Sequence, residues 1–487
     1  MTAPEGHAPG TSAPPPEGSS PERPGHGREA RVPGADLGDP APRVGRPGRA
    51  FRFSLRRRGA LAPLVLGGVA LASLPDLVRR PDRRRARIAA RAARALGRLK
   101  GPYAKAGQFA GLRHDVLDPE VREALAALRD RVPPLPLRHV RRVVEEELGR
   151  PLEACFRSFG AEPLGAASIA QAHPAELPDG TPVVVKVQYP WLRESLPRDL
   201  RVVRWLFRLA LAGAVDLDRL FGEFASGLRE ELDFVREARV ADEIRQNLAS
   251  EPGVVVPRVH PELTTPRVLV LDRHPVIPIL DRAGLVRRGI DPAAVLAILA
   301  RAYARQVFLD GLFHADPHPG NLFVIDEPGA VRQPRVLFVD FGLSRRLDPG
   351  LREEIRRGVL ALLSRDLEAF VDGMERTGMI APGARPRVRR AVEEILPRLG
   401  AGPVPGLGGE DVLALVEEAR RRLQETPGLQ LPGELLLYAR TLAWLFRLGR
   451  ELAPEVDLLR LTLPYLLRFL SGNPGGGPGG AAAPGGG

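Results

Sequence analysis

Three polar side chains in the second half of the chain have the types and spacing that phosphoryl transfer requires. Asp316 and Asn321 lie five positions apart, and Asp340 follows Asp316 by 24 positions. Apolar, β-branched runs at 322–325 and 336–340 predict two strands that bring these groups together. One carboxylate would orient the acceptor, and two oxygen donors would hold Mg²⁺ beside the phosphates of a nucleotide. We therefore predict that Asp316 acts on the acceptor and that Asn321 and Asp340 bind the metal.

A lysine far upstream completes this set. Lys186 lies in the β-branched run 183–187, which predicts a strand from which its ammonium could reach the α- and β-phosphates. Such an ammonium needs a carboxylate on a following helix. An acidic stretch about 45 residues later offers several, and we choose Glu231 as the partner of Lys186, with Glu237 as a second acid. The ordered set is the arrangement found in kinases.

The residues around Asp316 also admit a second interpretation. His314, Asp316 and His318 alternate along the chain, and on a strand they would share one face and could bind a metal ion. Pro317 and Pro319 instead favour an irregular loop. We therefore prefer the acceptor-orienting role of Asp316 to metal ligation by histidine.

Lysine is rare in this chain, which makes its positions informative. Only Lys100, Lys105 and Lys186 are lysines, whereas the other 68 of the 71 basic residues are arginine. A compact ammonium can be needed where a planar guanidinium does not fit. This criterion ranks the three lysines as candidates for functional roles.

The net charge of +12 is concentrated in one segment. Residues 51–100 contain fourteen basic side chains and two acidic ones, so this segment accounts for the whole net charge. A localised basic segment predicts an anionic partner, either membrane phospholipids or nucleic acid. Residues 79–100 lack the aromatic side chains on which bases stack, which disfavours nucleic acid. A solvated helix face is the remaining alternative.

The surroundings of this segment favour a cytoplasmic protein that associates peripherally with a membrane. The apolar stretch 60–74 is interrupted by proline and glycine, and as a helix it covers about 22 Å, less than the ~30 Å hydrocarbon core. We expect it to lie at the interface, with spanning as the alternative. The single cysteine, Cys155, excludes a disulfide framework. Residues 1–50 lack the apolar run of a secretory signal.

The order of the predicted elements gives an α+β fold. Short strands before position 275 predict a small β-rich lobe, and the mostly helical remainder predicts a larger second lobe. Many of the 50 prolines and 52 glycines lie near the two ends of the chain, which predicts flexible tails there. We divide the chain into a disordered tail (1–50), a basic membrane-proximal segment (51–100), a helical extension (101–150), a first lobe (151–275), a second lobe (276–470) and a flexible tail (471–487).

Six motifs occur in order along the chain: G-P-Y-A-K-A-G-Q at 101–108, L-R-D-R-V-P-P at 128–134, P-L-G-A-A-S-I-A-Q-A-H at 163–173, V-K-V-Q-Y-P at 185–190, L-R-E-E-L-D-F at 228–234 and H-A-D-P-H-P-G-N at 314–321. They resemble the motifs of the UbiB/ADCK (AarF-domain) atypical kinase family. The resemblance implies an atypical protein-kinase-like fold with two lobes and an N-terminal helical extension that carries a K-x-G-Q motif. It also implies Mg²⁺-dependent binding of ATP or ADP, ATPase or unorthodox kinase activity, and support of isoprenoid-quinone or other lipid metabolism at a membrane.

The resemblance adds candidate site residues. Lys105 and Gln108 belong to the K-x-G-Q motif, which in the family folds over the nucleotide pocket. The loop Gly165-Ala166-Ala167-Ser168 replaces the glycine-rich loop of ordinary kinases, with small side chains on a stiffer backbone. Val270 and Asp272 lie where the hinge between the lobes is expected, and we assign them to nucleotide binding.

The segment that follows Asp340-Phe341-Gly342 is short. Only residues 343–350 precede a predicted helix near Leu351, and no A-P-E motif appears. Ordinary protein kinases carry a longer segment here. We therefore expect a small acceptor, such as a lipid or a quinone-pathway compound, or ATP hydrolysis, rather than a peptide acceptor. A nucleotide-binding pseudokinase that works as a regulator or scaffold is the alternative function.

Overall fold

The structure, a computed structural model, describes residues 81–112, 134–210, 217–326, 333–399 and 432–472, together with parts of 64–75 and 426–429. The predicted tail at 1–50, nearly all of the tail at 471–487 and most of the motif at 128–134 lie outside the described residues. The described part has a β-rich lobe followed by a helical lobe. The predicted α+β, kinase-like two-lobe fold is confirmed.

The elements are numbered here in chain order. The strands are β1 (Ser158–Phe159), β2 (Gly165–Ala166), β3 (Ala170–Glu176), β4 (Pro182–Gln188), β5 (Val254–Val255), β6 (Val268–Asp272), β7 (Val276–Pro278), β8 (Leu312–Phe313), β9 (Leu322–Ile325), β10 (Val336–Phe338) and β11 (Arg345–Arg346). The helices are α1 (Pro81–Leu99), α2 (Pro102–Leu112), α3 (Leu137–Leu148), α4 (Leu152–Cys155), α5 (Leu192–Ala210), α6 (Leu217–Glu231), α7 (Phe234–Asn247), α8 (Arg282–Arg287), α9 (Pro292–Ala304), α10 (Pro349–Ser364), α11 (Leu367–Arg376), α12 (Arg385–Leu399), α13 (Gly433–Leu452) and α14 (Leu458–Leu470).

The first lobe is built on an antiparallel sheet with the strand order β1–β3–β4–β6, and β2 also pairs with β3. Five valines on one face of β4 and β6 are buried in a cluster with α3: Val183, Val185, Val187, Val268 and Val270. Side chains alternate between the two faces of a strand. Lys186 and its register partners Ala172 and Leu269 therefore lie on the opposite face, toward the cleft.

The helices of the first lobe differ from the sequence prediction at one place that matters for the site. The apolar pattern over 217–248 predicts one long helix, but the structure has two, α6 and α7. The carboxylate of Asp233 accepts hydrogen bonds from the backbone N–H groups of Val235 and Arg236. Such an N-cap begins a new helix, and it changes the direction in which the acidic residues on each side of it point.

The N-terminal extension packs into the same core. Helices α1 and α2 meet at a corner formed by Lys100 and Gly101. Leu99 and Tyr103 are buried in a cluster with residues of α5, α6 and α7, and the hydroxyl of Tyr103 donates a hydrogen bond to Asp199 at 3.1 Å. The extension is therefore fixed against the first lobe.

The second lobe is organised around α9, whose side chains are buried on nearly all sides. The helix continues as a π-helix over Arg305–Asp310 and leads into β8 and the loop at 314–321. Among the described residues, the stretch Pro292–Asp310 is long and apolar enough to cross a membrane, and 61% of its most apolar window is buried inside the protein. The antiparallel hairpin of β9 and β10 lies beside this helix and ends at the site.

Candidate active site

Lys186 of β4 lies between two carboxylates, one from α7 and one just after β10. Its Nζ is 2.7 Å from Oε1 of Glu237 and 2.9 Å from Oδ1 of Asp340. The predicted pairing of Lys186 with Glu231 is wrong. Because Asp233 starts a new helix, Glu237 lies in the first turn of α7 and reaches β4, whereas Glu231 is the last residue of α6 and faces α2.

The charges of this group are strongly coupled. Burial disfavours the ionised form of Glu237 more than Lys186 favours it, so the pKa of Glu237 rises to about 7. Burial acts on Asp340 in the same direction, but the ammonium of Lys186 outweighs it and holds the pKa of Asp340 at about 2. Burial alone would lower the pKa of Lys186, yet its two carboxylates raise the pKa. Lys186 and Asp340 are therefore both ionised at neutral pH.

Glu231 has a different lysine partner. Nζ of Lys105 is 2.6 Å from Oε2 of Glu231, and both side chains are largely buried. Burial raises the pKa of Glu231, and Lys105 limits that rise. The charge of Lys105 also helps to lower the pKa of Asp340, which places the K-x-G-Q helix within electrostatic range of the site. Gln108 follows on the same helix and is half-buried.

The loop at 314–321 holds Asp316 from two sides. Nδ2 of Asn321 donates to Oδ2 of Asp316 at 2.9 Å. Nη2 of Arg440, which belongs to α13, lies 3.4 Å from Oδ1 of Asp316 and donates to the carbonyl of Ala315 at 2.8 Å. Sequence reasoning missed Arg440 because an arginine 124 positions downstream in an arginine-rich chain has no spacing signal. The structure thus brings Asp316 and Asn321 together as the spacing predicts.

His314 supports this loop rather than a metal ion. Its Nε2 lies 3.0 Å from the carbonyl of Val339, its Nδ1 lies 3.2 Å from the hydroxyl of Tyr303, and its backbone N–H donates to Gln306 of the π-helix at 2.9 Å. The ring of His318 instead contacts the indole of Trp444. No cluster of three His, Cys, Asp or Glu side chains in the described part of the chain is placed to hold a metal ion.

The two predicted magnesium ligands lie at the same end of the β9–β10 hairpin. The backbone N–H of Val339 donates to the carbonyl of Asn321 at 3.0 Å, so Asp340, the next residue, is close to Asn321. Asp340 has a φ of 63°, a conformation that is strained in a residue other than glycine, and its side chain is 45% exposed. A carboxylate and an amide oxygen on adjoining backbone fit the oxygen-ligand preference of Mg²⁺.

The alanine-rich loop adjoins Lys186 through strand pairing. Gly165 and Ala166 form β2 and pair with β3, and the loop continues through Ala167 and Ser168. Ala172 of β3 is the register partner of Lys186. The structure therefore places the predicted phosphate-binding loop beside the lysine.

The structure does not bring the side chains of Val270 and Asp272 to the site. Val270 is buried on the α3 side of the sheet, and its carbonyl accepts a hydrogen bond from the backbone of His260. Asp272 shares that face by strand alternation, and its carboxylate lies 2.8 Å from Nε2 of His260. The face of β6 that carries Lys186's register partner instead presents Leu269 and Leu271, so the assignment of Val270 and Asp272 to nucleotide binding stays a prediction that would have to use their backbone.

The chain is similar to known proteins over most of its length. The family model for the ABC1 atypical kinase-like domain matches residues 127–373. The chain is 32% identical over 384 residues to the "Probable protein kinase UbiB" of Marinobacter nauticus, which covers 76% of this chain and 68% of the relative. The protein of the same name from Azotobacter vinelandii is 31% identical over 381 residues, covering 76% of this chain and 69% of the relative.

A solved structure also aligns with this fold. The complex of Rv3197 with erythromycin from Mycobacterium tuberculosis covers 74% of this chain and 94% of its own, with 24% identity and a TM-score of 0.44. The family assignment rests on the domain match and the curated relatives, which together confirm the resemblance of the sequence motifs. The two UbiB relatives are similar to this chain over about three quarters of its length. The chain belongs to the ABC1 atypical kinase-like family.

Proposed function

We propose that this protein binds ATP or ADP with Mg²⁺ and promotes phosphoryl transfer to a small acceptor or to water. The observation that carries the proposal is the placement of Lys186 between Glu237 and Asp340, beside a loop in which Asn321 holds Asp316. A charged lysine, a half-exposed carboxylate and a second, oriented carboxylate are the groups that phosphoryl transfer uses. The kinase name of the relatives supports the same chemistry.

Each residue would have a separate task. Lys186, kept protonated by its carboxylates, would neutralise phosphate oxygens. Asn321 and Asp340 would hold Mg²⁺, which when bound supplies charge neutralisation on the phosphates. Asp316, fixed by Asn321 and Arg440, would accept the proton of the attacking hydroxyl or water.

The surroundings of the cleft support a small acceptor. Lys105 ties α2 to the end of α6 through Glu231. The short segment after Gly342 is tied to the same helix end, because Arg345 contacts Glu230 at 2.9 Å. Its strand β11 also pairs with β8. A peptide acceptor would have to displace these contacts, whereas a small molecule or water would not.

We further propose that the basic segment binds an anionic membrane, in support of isoprenoid-quinone or other lipid metabolism. Arg94 and Arg98 of α1 are exposed one helical turn apart. Leu71 and Leu74, three positions apart in one helical stretch upstream, are large exposed apolar side chains on one face, and Leu64 is a third exposed apolar side chain. The UbiB name of the relatives supports the link to quinones.

The central test is nucleotide binding by an Asp340→Asn variant. The change removes the charged metal ligand and keeps its shape, so the stabilisation by Mg-ATP in a thermal-shift titration should disappear. Asp326→Asn is the matched control, since Asp326 pairs with Arg288 on the second lobe. Unchanged stabilisation of Asp340→Asn would contradict the proposal. Nucleotide binding by the unaltered protein without release of labelled phosphate would identify a nucleotide-binding regulator instead.

The membrane proposal is tested by vesicle flotation. Binding to phosphatidylglycerol vesicles should weaken at high salt and in a variant with Arg94→Glu and Arg98→Glu, because each basic residue near an anionic surface contributes about 1 kcal/mol. Arg447→Glu, at an exposed position of α13, is the control. Equal binding to phosphatidylcholine vesicles would show that charge does not drive the association.

A further inference from the structure

The corner between α1 and α2 is strained and buried. Lys100 and Gly101 both have a φ of 57°, and Lys100 is only 6% exposed. The left-handed conformation is sterically unfavourable in a residue other than glycine. Such a conformation persists where surrounding contacts stabilise it, and it is concentrated at functional sites. The contacts of Lys100 therefore indicate what the corner does.

Lys100 contacts an aromatic ring. Its Nζ lies 4.4 Å from the ring centroid of Tyr189, at the end of β4. The ring of Tyr189 is buried and stacks on Trp191, with centroids 5.4 Å apart. A cation over an aromatic face is more strongly bound when the pair is desolvated. Lys100 is thus tied to a rigid aromatic pair.

Tyr189 and the corner both bind the alanine-rich loop. The hydroxyl of Tyr189 donates to the carbonyl of Ala167 at 2.7 Å, and its backbone N–H donates to the carbonyl of Ile169 at 3.0 Å. The N–H of Gly101 donates to the carbonyl of Ser168 at 2.7 Å. Three consecutive carbonyls, two in the loop and one directly after it, therefore have donors from the corner or from the end of β4.

We propose that Lys100, Gly101 and Tyr189 form a clamp that positions the alanine-rich loop for the nucleotide, with Lys100 and Tyr189 as positioning residues. This inference rests on the proposed function. A carbonyl oxygen repels a phosphate oxygen, so a loop that binds phosphate must keep its carbonyls turned away. A glycine-rich loop is free to reach this arrangement on binding, whereas here the clamp fixes it in advance.

The clamp also accounts for the third lysine. Of the three lysines, two contact the carboxylates of the cleft and the third contacts the aromatic ring that holds the loop. All three are thus engaged around the same site.

The first experiment uses the nucleotide-free protein, so it does not depend on the proposed function. Tyr189→Phe keeps the ring over which Lys100 lies and removes only the hydroxyl that reaches Ala167. Backbone hydrogen exchange in 165–170 should become at least about tenfold faster, since the loop loses an anchor. Tyr465→Phe is the matched control, because its buried hydroxyl contacts Glu251 in the second lobe. Unchanged exchange in 165–170 would overturn the clamp.

The second experiment measures nucleotide binding. Tyr189→Phe and Lys100→Met should each weaken Mg-ATP binding severalfold and raise the KM for ATP more than they lower kcat. Because both residues act through one clamp, the double variant should bind Mg-ATP as tightly as the single variant that has the lower affinity. Additive losses would contradict a shared clamp. Absence of nucleotide binding by the unaltered protein would refute the proposed function, and the exchange experiment would still decide whether the clamp exists.

Discussion

The two halves of the cleft hold their carboxylates with different cations. On the side of the extension and the first lobe the cations are lysines, which make the contacts Lys105–Glu231, Lys186–Glu237 and, across to the second lobe, Lys186–Asp340. In the second lobe the guanidinium of Arg440 and the amide of Asn321 hold Asp316. In a chain whose basic residues are nearly all arginine, this division indicates that the two halves require different chemistry.

The contacts of Lys186 can be exchanged for contacts with a nucleotide, whereas those of Arg440 are part of the fold. The ammonium of Lys186 contacts two side-chain carboxylates, which phosphate oxygens could replace when a nucleotide arrives. Arg440 contacts a main-chain carbonyl in addition to Asp316, so its position is tied to the backbone of the loop. The first lobe thus offers a point charge to an incoming anion, while the second lobe fixes the orientation of one carboxylate.

The largest effect is expected from Lys186→Arg, which breaks the first half of this comparison. The ammonium fits between two carboxylates at 2.7 and 2.9 Å, and a longer planar group cannot take the same position. Phosphate release should fall by roughly 100-fold or more. The control is Arg157→Lys, since Arg157 forms an exposed pair with Glu176. Activity near that of the unaltered protein would show that a point charge is not required.

The next largest effect concerns Lys105. Lys105→Met leaves the buried Glu231 without its cation, which should destabilise the protein by about 3 kcal/mol. Adding Glu231→Gln should restore much of the lost stability, because the uncompensated charge is removed. Thermal unfolding of the single and double variants measures both effects. Equal stability of the two variants would mean that the pair is not coupled in solution.

The sequence predicted much of this site because its spacing is local. Asn321 and Asp340 lie at the same end of one hairpin, and Asp316 lies in the loop that leads into it, so loop and strand lengths determine their approach. The role of Glu237 was not evident, because an N-cap at Asp233 interrupts a continuous apolar pattern. The sequence motif also did not show which positions of β6 share the face of Lys186, and the side chains of Val270 and Asp272 lie on the opposite face.

Contacts between distant elements could not be predicted in this way. Arg440 contacts Asp316 from a helix 124 positions downstream. Lys100 contacts Tyr189 although helix α3 lies between the two residues in the sequence. Such contacts depend on how helices pack. Lysine scarcity was the one available signal, and it ranked Lys100 without giving its partner.

A smaller effect is expected from Arg440→Lys, which tests the second half of the comparison. A lysine cannot reach the carbonyl of Ala315 and the carboxylate of Asp316 with the same geometry. The kcat for phosphate release should fall by about tenfold with little change in the KM for ATP, because the change affects the acceptor side of the site. Arg447→Lys on the same helix is the control. A rise in KM with unchanged kcat would assign Arg440 to nucleotide binding.

The smallest expected effect is a pH dependence of stability that distinguishes the two acids beside Lys186. The pKa of Glu237 is about 7 in the folded protein and close to 4.5 when the chain is unfolded, so between these values the folded state binds more protons. Stability from this group therefore falls as pH rises from about 4.5 to 7. Glu237→Gln lacks this pH-dependent loss of stability. The difference between the Tm of the variant and that of the unaltered protein should therefore increase by a few degrees from about pH 4.5 to about pH 7. Glu243→Gln, at an exposed pair with Arg346, should show no such trend. If the difference in Tm between Glu237→Gln and the unaltered protein does not change with pH, Glu237 is already ionised in this window. Lys186 would then keep both Glu237 and Asp340 ionised.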